Sequence, residues 1–272
     1  MRLTITRSIF AFTLICLAGC SSVPLTGRKQ LSLMPSNQVQ SMSYSQYDEV
    51  LRTSKVITGT EQSDMVKRVG NRIKDAVEQY MSEHHRSKAL EGYEWEFNLI
   101  ESDAVNAWCM PGGKVAFYTG IMPVCQDEAG VAVVMGHEIA HAVARHGSER
   151  MSQGMVTQLG GVALAVALQE KPAETQQLFM AAYGVGSQVG VLLPFSRLHE
   201  SEADRLGLTF MAMAGYDPRE APDFWSRMSS LSGGAQPAEF MSTHPSHSTR
   251  IENLNDWMTE AMVHYNKATA NQ

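Results

Sequence analysis

VAVVMGHEIAHAVARH, residues 131–146, is the stretch on which the fold turns, because it sets His137, Glu138 and His141 in the order H-E-x-x-H inside a run of valine and alanine. On an α-helix, residues four apart lie nearly one above the other, so His137 and His141 can both aim a ring nitrogen at one ion at about 2.0–2.1 Å. Glu138 sits beside them and can reach a water on that ion, whose pKa a bound zinc lowers towards about 7. As general base, Glu138 would take the water's proton and could pass it to a departing amine, which is the chemistry of peptide-bond hydrolysis. The apolar setting argues against two exposed histidines beside a chance acid. A helix apolar on nearly every side is buried, and unpartnered polar groups there are costly.

A catalytic zinc of this kind needs a third protein ligand and an open fourth position. His199, Glu200, Glu202 and Asp204 cluster downstream. One helical stripe carries Glu200, Ala203, Asp204 and Gly207, and the small residues at 203 and 207 let this helix come close to the metal helix. Glu200 is therefore expected as the third ligand, with Asp204, one turn on, as the acceptor that orients a ligand histidine. Glu202 points elsewhere and reads as a solvated acid, and His199 reads as a surface or partly packed histidine. His84, His85, His146, His247 and His264 take structural readings.

The scaffold follows from hydrophobic periodicity. Helical spacing over 36–47 and 61–81 predicts two amphipathic helices, the second carrying Met65, Val66, Val69, Ile73, Val77 and Tyr80. Alternation over 93–100 predicts a half-buried strand. Residues 114–118 predict another, joined to it through 106–113 with its Pro-Gly-Gly turn, and together they suggest a small antiparallel sheet. A strand edge beside a metal can hold an extended peptide by main-chain hydrogen bonds. The metal helix is expected to start at Asp127-Glu128 and run to about His146 before Gly147. Apolar stretches at 156–168 and 180–193 are each shorter than a bilayer requires and read as buried core helices. Further helices are expected at 198–214, from Asp217-Pro218 onward, and at 251–265, the last with Ile251, Leu254, Trp257, Met258, Ala261 and Met262 on one face. The fold class is α+β, mainly α-helical with a small antiparallel sheet beside the active-site helix.

At the N-terminus Arg2 and Arg7 precede an apolar run over 9–18, and Leu17-Ala18-Gly19-Cys20 follows, so residues 1–19 read as a signal peptide. That tetrapeptide resembles the bacterial lipobox, which implies lipid on Cys20. It also implies, with Ser21 and Ser22 after the cysteine, a place on the outer membrane facing the periplasm. Lipid would tether the chain without spanning the membrane. Residues 20–60 then form a lipidated arm and first helix, and 61–272 the metallopeptidase domain. Cys109 and Cys125 remain, either bridged as a disulfide in an oxidising compartment or as two buried free thiols.

G-H-E-I-A-H, then E-S-E-A-D at 200–204, then T-H-P with Arg250 six residues past His244, resemble the zinc metallopeptidase family of the CAAX prenyl protease and HtpX. Within it the chain is similar to the soluble periplasmic branch with BepA and the lipoprotein LoiP. The resemblance runs from about Glu61 to Trp257. It implies a gluzincin-type fold, one zinc per chain, Glu200 as third ligand, and unfolded or misassembled envelope proteins as substrates. The family's N-A-x-x-x-P-G-G segment matches Asn106, Ala107, Pro111, Gly112 and Gly113, which implies that Asn106 helps hold substrate. His244 and Arg250 match its late His-Pro and Arg positions. A neutral His244 could donate to an oxyanion or occupy the open zinc position, and the residues leave both open. Trp108 and Cys109 depart from the small or aliphatic residues usual in that strand.

Charge narrows the field, since 22 Lys and Arg against 28 Asp and Glu, without a basic block, give no footprint for nucleic acid. The main reading is a lipid-anchored zinc endopeptidase. The alternative is a chaperone or assembly factor for outer-membrane proteins, in which four protein ligands close the metal site.

Overall fold

A computed structural model of the protein describes residues 20–188, 192–231, 240, 241, 244 and 249–270. Its centre is the helix expected from the H-E-x-x-H stretch, Glu128–Val143, buried on all faces from Gly130 to Val143. Asp127 caps its start by accepting from Ala129 N at 2.9 Å and Gly130 N at 3.0 Å.

In chain order the elements are β1 (Cys20–Ser22), β2 (Lys29–Leu31), α1 (Ser36–Thr53), β3 (Val56–Ile57), α2 (Glu61–Glu83), β4 (Glu96–Ile100), β5 (Ala107–Met110) and β6 (Lys114–Tyr118). The helices α3 (Met122–Cys125), α4 (Glu128–Val143), α5 (His146–Leu168), α6 (Ala173–Ser187), α7 (Leu193–Met213), α8 (Glu220–Leu231) and α9 (Arg250–Thr269) follow. The architecture is mainly helical with a small sheet, as the patterning predicts. Thr60 and Ser63 form a reciprocal cap on α2, whose Val66, Val69, Ile73 and Val77 enter the core.

The sheet runs β3-β4-β6-β5. Outer pairs β3–β4 and β5–β6 are antiparallel, but β4 and β6 pair in parallel, Phe97 against Val115 and Leu99 against Phe117. The two strands expected from the pattern are thus neighbours of the same direction. The segment between them, expected as a connection, supplies the antiparallel strand β5 at an edge of the sheet among the described residues. Gly112 and Gly113, with φ of 94° and 86°, turn the chain from β5 into β6.

Helix α7 crosses α4 where Gly207 meets Gly136, so close that a Cβ at 207 would lie 2.8 Å from the backbone nitrogen of His137. Ala203, also on that face, is fully buried. The small-residue stripe therefore does what its spacing predicts.

Two further expectations change. The metal helix ends before His146: Arg145 takes a left-handed conformation (φ 62°) and α5 starts at once, turning the chain back towards α4. Holding an arginine there costs about 1–2 kcal/mol. Of the stretches read as buried core helices, 156–168 lies in α5 and 180–187 in α6, while 189–191 lie outside the described residues; Leu159, Val162, Val166 and Val185 are all more than half exposed. These helices pack on each other, with the Tyr183 hydroxyl donating to Thr157 O at 2.8 Å, and only the first turns of α5 reach the core. With 23 residues, α5 is long and apolar enough to cross a membrane by length and composition. Of the two readings left open for Cys109 and Cys125, the structure has the free thiols. Cys125 is sealed in the core at the end of α3, while Cys109 lies half-buried on β5.

Candidate metal centre

Helix periodicity puts His137 and His141 one turn apart on α4, and the close crossing with α7 brings Glu200 beneath them. His137 Nε2 and His141 Nε2 lie 3.1 Å apart. Glu200 Oε2 is 3.4 Å from the first and Glu200 Oε1 is 3.3 Å from the second. His244 brings its Nδ1 to 3.3 Å from His137 Nε2 and 3.2 Å from both Glu200 oxygens. All four residues are buried.

These contacts test the fit of a metal. Ligand bonds of about 2.0–2.1 Å in a tetrahedron require edges of about 3.3–3.4 Å between donors, and the donor distances here run from 3.1 to 3.4 Å. Imidazole lone pairs facing each other and a carboxylate at such distances repel unless a cation lies among them, and three imidazoles with one carboxylate suit zinc.

Beyond the donors, His137 Nδ1 lies 2.9 Å from Asp204 Oδ1. The other Asp204 oxygen accepts from Arg250 Nε at 2.7 Å, and Arg250 also donates to Glu200 Oε2 at 2.9 Å. Arg250 is buried with its guanidinium 3.9 Å from the centre of the Trp225 ring. Glu200 resists the upward push of burial and is held well below the ordinary carboxylate range by His141, His137 and His244. Glu138, in contrast, is raised by burial. Its Oε1 has no hydrogen-bond partner and lies 3.3 Å from His244 Nε2. An upward shift brings a carboxylate nearer to neutral pH, where a general base works best.

A cleft of about 270 Å³ opens beside the donors, lined by Asn106, Trp108, Pro111, Glu138, Arg145 and His244. Asn106 opens the edge strand β5 and is itself buried, its Oδ1 accepting from Ala107 N at 2.9 Å. A larger cavity of about 560 Å³, lined among others by Leu31, Val156 and Tyr183, holds none of the four donors. The reactive groups belong to the smaller one.

Glu202, expected as a solvated acid, and His199, expected as a surface or partly packed histidine, are both buried, and so is His146, which took a structural reading. His146 Nδ1 lies 2.8 Å from His141 Nδ1, and its Nε2 lies 2.9 Å from Glu202 Oε2. His199 Nε2 lies 2.8 Å from Glu149. The pairs cross: α5 carries His146 and Glu149, α7 carries His199 and Glu202, and each histidine meets the other helix's acid. The two imidazoles stack at 4.3 Å. Burial lowers His146 to about 4, so it is neutral at pH 7. Burial pushes the two carboxyls up, but the histidines, with Thr26 on Glu202 and Arg28 on both, hold each at about 2. The matched His-x-x-Glu spacing on two helices was the available signal. His84 stacks on Tyr80 at the surface, and His247 lies outside the described residues.

The sequence profile of peptidase family M48 matches residues 68–258. The chain is 39% identical over 170 residues to the mitochondrial metalloendopeptidase OMA1 of Schizosaccharomyces pombe, covering 62% of this chain and 48% of that protein. It is 28% identical over 249 residues to the human mitochondrial metalloendopeptidase OMA1, covering 88% and 46%. The beta-barrel assembly-enhancing protease of Escherichia coli is 30% identical over 168 residues, covering 58% and 33%. The chain spans about half the length of the OMA1 relatives it matches. These relatives correct one expectation. Proteins from fungi, a plant and vertebrates are named mitochondrial, which overturns a place on an outer membrane facing the periplasm. A tetrapeptide ending in cysteine carries far less information than matches of 170 to 249 residues. Residues 1–19, which prompted that expectation, lie outside the described residues.

Proposed function

The chain belongs to peptidase family M48, and from that membership we propose that it is a zinc-dependent endopeptidase using Glu138 as general base. The observation that carries this reading is the buried donor set of His137, His141, Glu200 and His244 with the Glu138 carboxylate beside it. His137, His141 and Glu200 would hold the zinc. When bound, the metal supplies a Lewis acid that polarises the scissile carbonyl and acidifies the attacking water. Glu138 accepts that water's proton and returns it to the leaving amine, its raised pKa suiting both transfers. Asp204 orients His137, and Arg250 braces Asp204 and Glu200 against a shift of either carboxylate. Asn106 and the free edge of β5 hold the substrate as an added strand along the cleft.

His244 supports a closed resting state of this enzyme, because its Nδ1 sits against His137 and Glu200, where it would keep the attacking water from the metal. Its Nε2 meanwhile faces the general base. Substrate entry then requires His244 to withdraw, a device that also accommodates the chaperone-like reading in which the site stays shut. Substrates are unfolded or misassembled proteins. The names of the OMA1 and beta-barrel assembly-enhancing relatives support protein substrates.

Zinc stoichiometry and cleavage of an unfolded protein, measured together in wild type, Glu138→Gln and His244→Ala, test the reading. Glu138→Gln should bind one zinc and lose at least ~10²-fold in cleavage rate. Full activity in that variant, with contaminating proteases excluded, removes the mechanism. His244→Ala should cleave faster than wild type, whereas a collapse of activity makes His244 an oxyanion donor instead.

A further inference from the structure

The mechanism leaves unused a buried cluster on the far side of His141, made of His146, Glu149, His199 and Glu202 with Arg28 from the N-terminal hairpin. Proton placement within it follows from geometry. His141 Nε2 faces His137 Nε2 at 3.1 Å and Glu200 at 3.3 Å, so it presents its lone pair to the metal and its proton sits on Nδ1. That Nδ1–H points at His146 Nδ1, 2.8 Å away, which must then accept. The proton of His146 is left on Nε2, where it is donated to Glu202 Oε2 at 2.9 Å. One tautomer of each ring satisfies every contact.

We propose that His146 and Glu202 are positioning residues that fix the ring of His141 for the metal, and that Arg28 makes the hairpin β1–β2 a working part of the metal site. The proposal rests on the reading of His141 as a ligand. His137 is oriented by Asp204 directly, whereas His141 reaches its carboxylate through a second imidazole. Such outer partners fix ring orientation and raise ligand basicity.

Arg28 is the group on which the cluster depends. Its Nε donates to Glu202 Oε2 at 3.0 Å, and its two terminal nitrogens donate to Glu149 at 3.1 and 2.8 Å. The Thr26 hydroxyl donates to the remaining oxygen of Glu202. Glu149 in turn accepts from His199, whose ring stacks on His146 at an interplanar angle of 15° and so sets the plane of the relay. Without the guanidinium, two buried carboxylates would face each other's histidines with no cation between them. The hairpin, 121 and 174 residues from these acids in sequence, is thereby joined to the metal helix.

The full-length zinc-loaded protein provides the test. Imidazole nitrogen NMR of the wild type should place the proton on Nδ1 of His141 and on Nε2 of His146; a proton on His146 Nδ1 overturns the relay without any variant. Zinc affinity, read by competition with a chromophoric chelator, should fall about 10–100-fold in His146→Ala and in Glu202→Ala. The double variant should be no worse than either single one, because the two act in series. His146→Asn, whose amide oxygen can still accept from His141, should recover part of the loss. Arg28→Ala should weaken zinc in the same direction and Arg28→Lys less so. Unchanged zinc affinity in His146→Ala and Glu202→Ala, beside a large loss in His141→Ala, overturns the relay alone. Unchanged affinity in His141→Ala overturns the ligand reading and the relay with it.

Discussion

Replacing Gly207 by alanine should damage the metal site without touching any group that binds the ion. The added Cβ would lie 2.8 Å from His137 N, 2.9 Å from Gly136 C and 3.0 Å from His137 Cα, all backbone atoms that cannot swing aside. Carbon contacts settle near 3.5–4.0 Å, so α4 and α7 must part by roughly 0.7–1 Å at the crossing. Donor distances between His137 or His141 on α4 and Glu200 on α7 are 3.4 and 3.3 Å, and they would lengthen by a similar amount. Metal–ligand bonds tolerate only about ±0.2 Å. The expected result is a zinc affinity lower by more than tenfold, and cleavage slower by about 10²-fold, as for a ~1 Å misplacement of reacting groups. Overpacking should cost about 1–3 kcal/mol in denaturant unfolding, offset by up to about 1 kcal/mol from the better helix propensity of alanine. Gly154→Ala is the control, since no atom lies within 4 Å of its would-be Cβ on α5, and it should bind zinc normally. Wild-type zinc affinity in Gly207→Ala would refute the argument that the close crossing builds the site.

Acid should weaken the fold through Glu149 and Glu202. Each is lowered from 4.5 to about 2, so their contribution is complete above about pH 4.5 and drains as pH falls towards 2. At 1.36 kcal/mol per unit, each is worth up to about 3 kcal/mol, and less than twice that together because they share Arg28. Urea unfolding at pH 7 and pH 3 should give a flatter pH dependence for the Glu149→Gln, Glu202→Gln double variant, and an unaltered slope would sink the assignment. Arg28→Ala should destabilise at pH 7 by about 3–5 kcal/mol, the cost of leaving buried charge unpaired, measured by the same unfolding. Leu159→Ser and Phe179→Ser, on the exposed faces of α5 and α6, should shift stability by no more than about 0.5 kcal/mol, and a loss of several kcal/mol would return these helices to the core.

The metal helix, Glu200 and Asp204 were legible because each follows from helical periodicity within a single segment. Gly207 and Ala203 were legible too, since small residues on one stripe announce a close crossing before the partner is known. The parallel pairing of β4 and β6 was not, because alternation fixes which face of a strand is buried and says nothing of direction. The buried relay escaped for a different reason. Taken singly, His146 and Glu202 are ordinary polar residues of helical segments, and only the crossing of α5 with α7, set by the left-handed turn at Arg145, makes each other's burial tolerable. Leu159 and Val185 misled in the opposite sense, since apolar character permits burial without enforcing it.

The donors are separated along the chain by as much as 107 residues, between His137 and His244. A ribosome adding about 5–20 residues per second needs roughly 5–20 s to cover that interval. Until it has done so, a nascent chain carries a histidine pair on an apolar helix but no complete cage. Loop closures of this length are also entropically slow to form. His137, His141 and Glu200 are all synthesised before His244, so the residue that closes the site is the last of the four to join it.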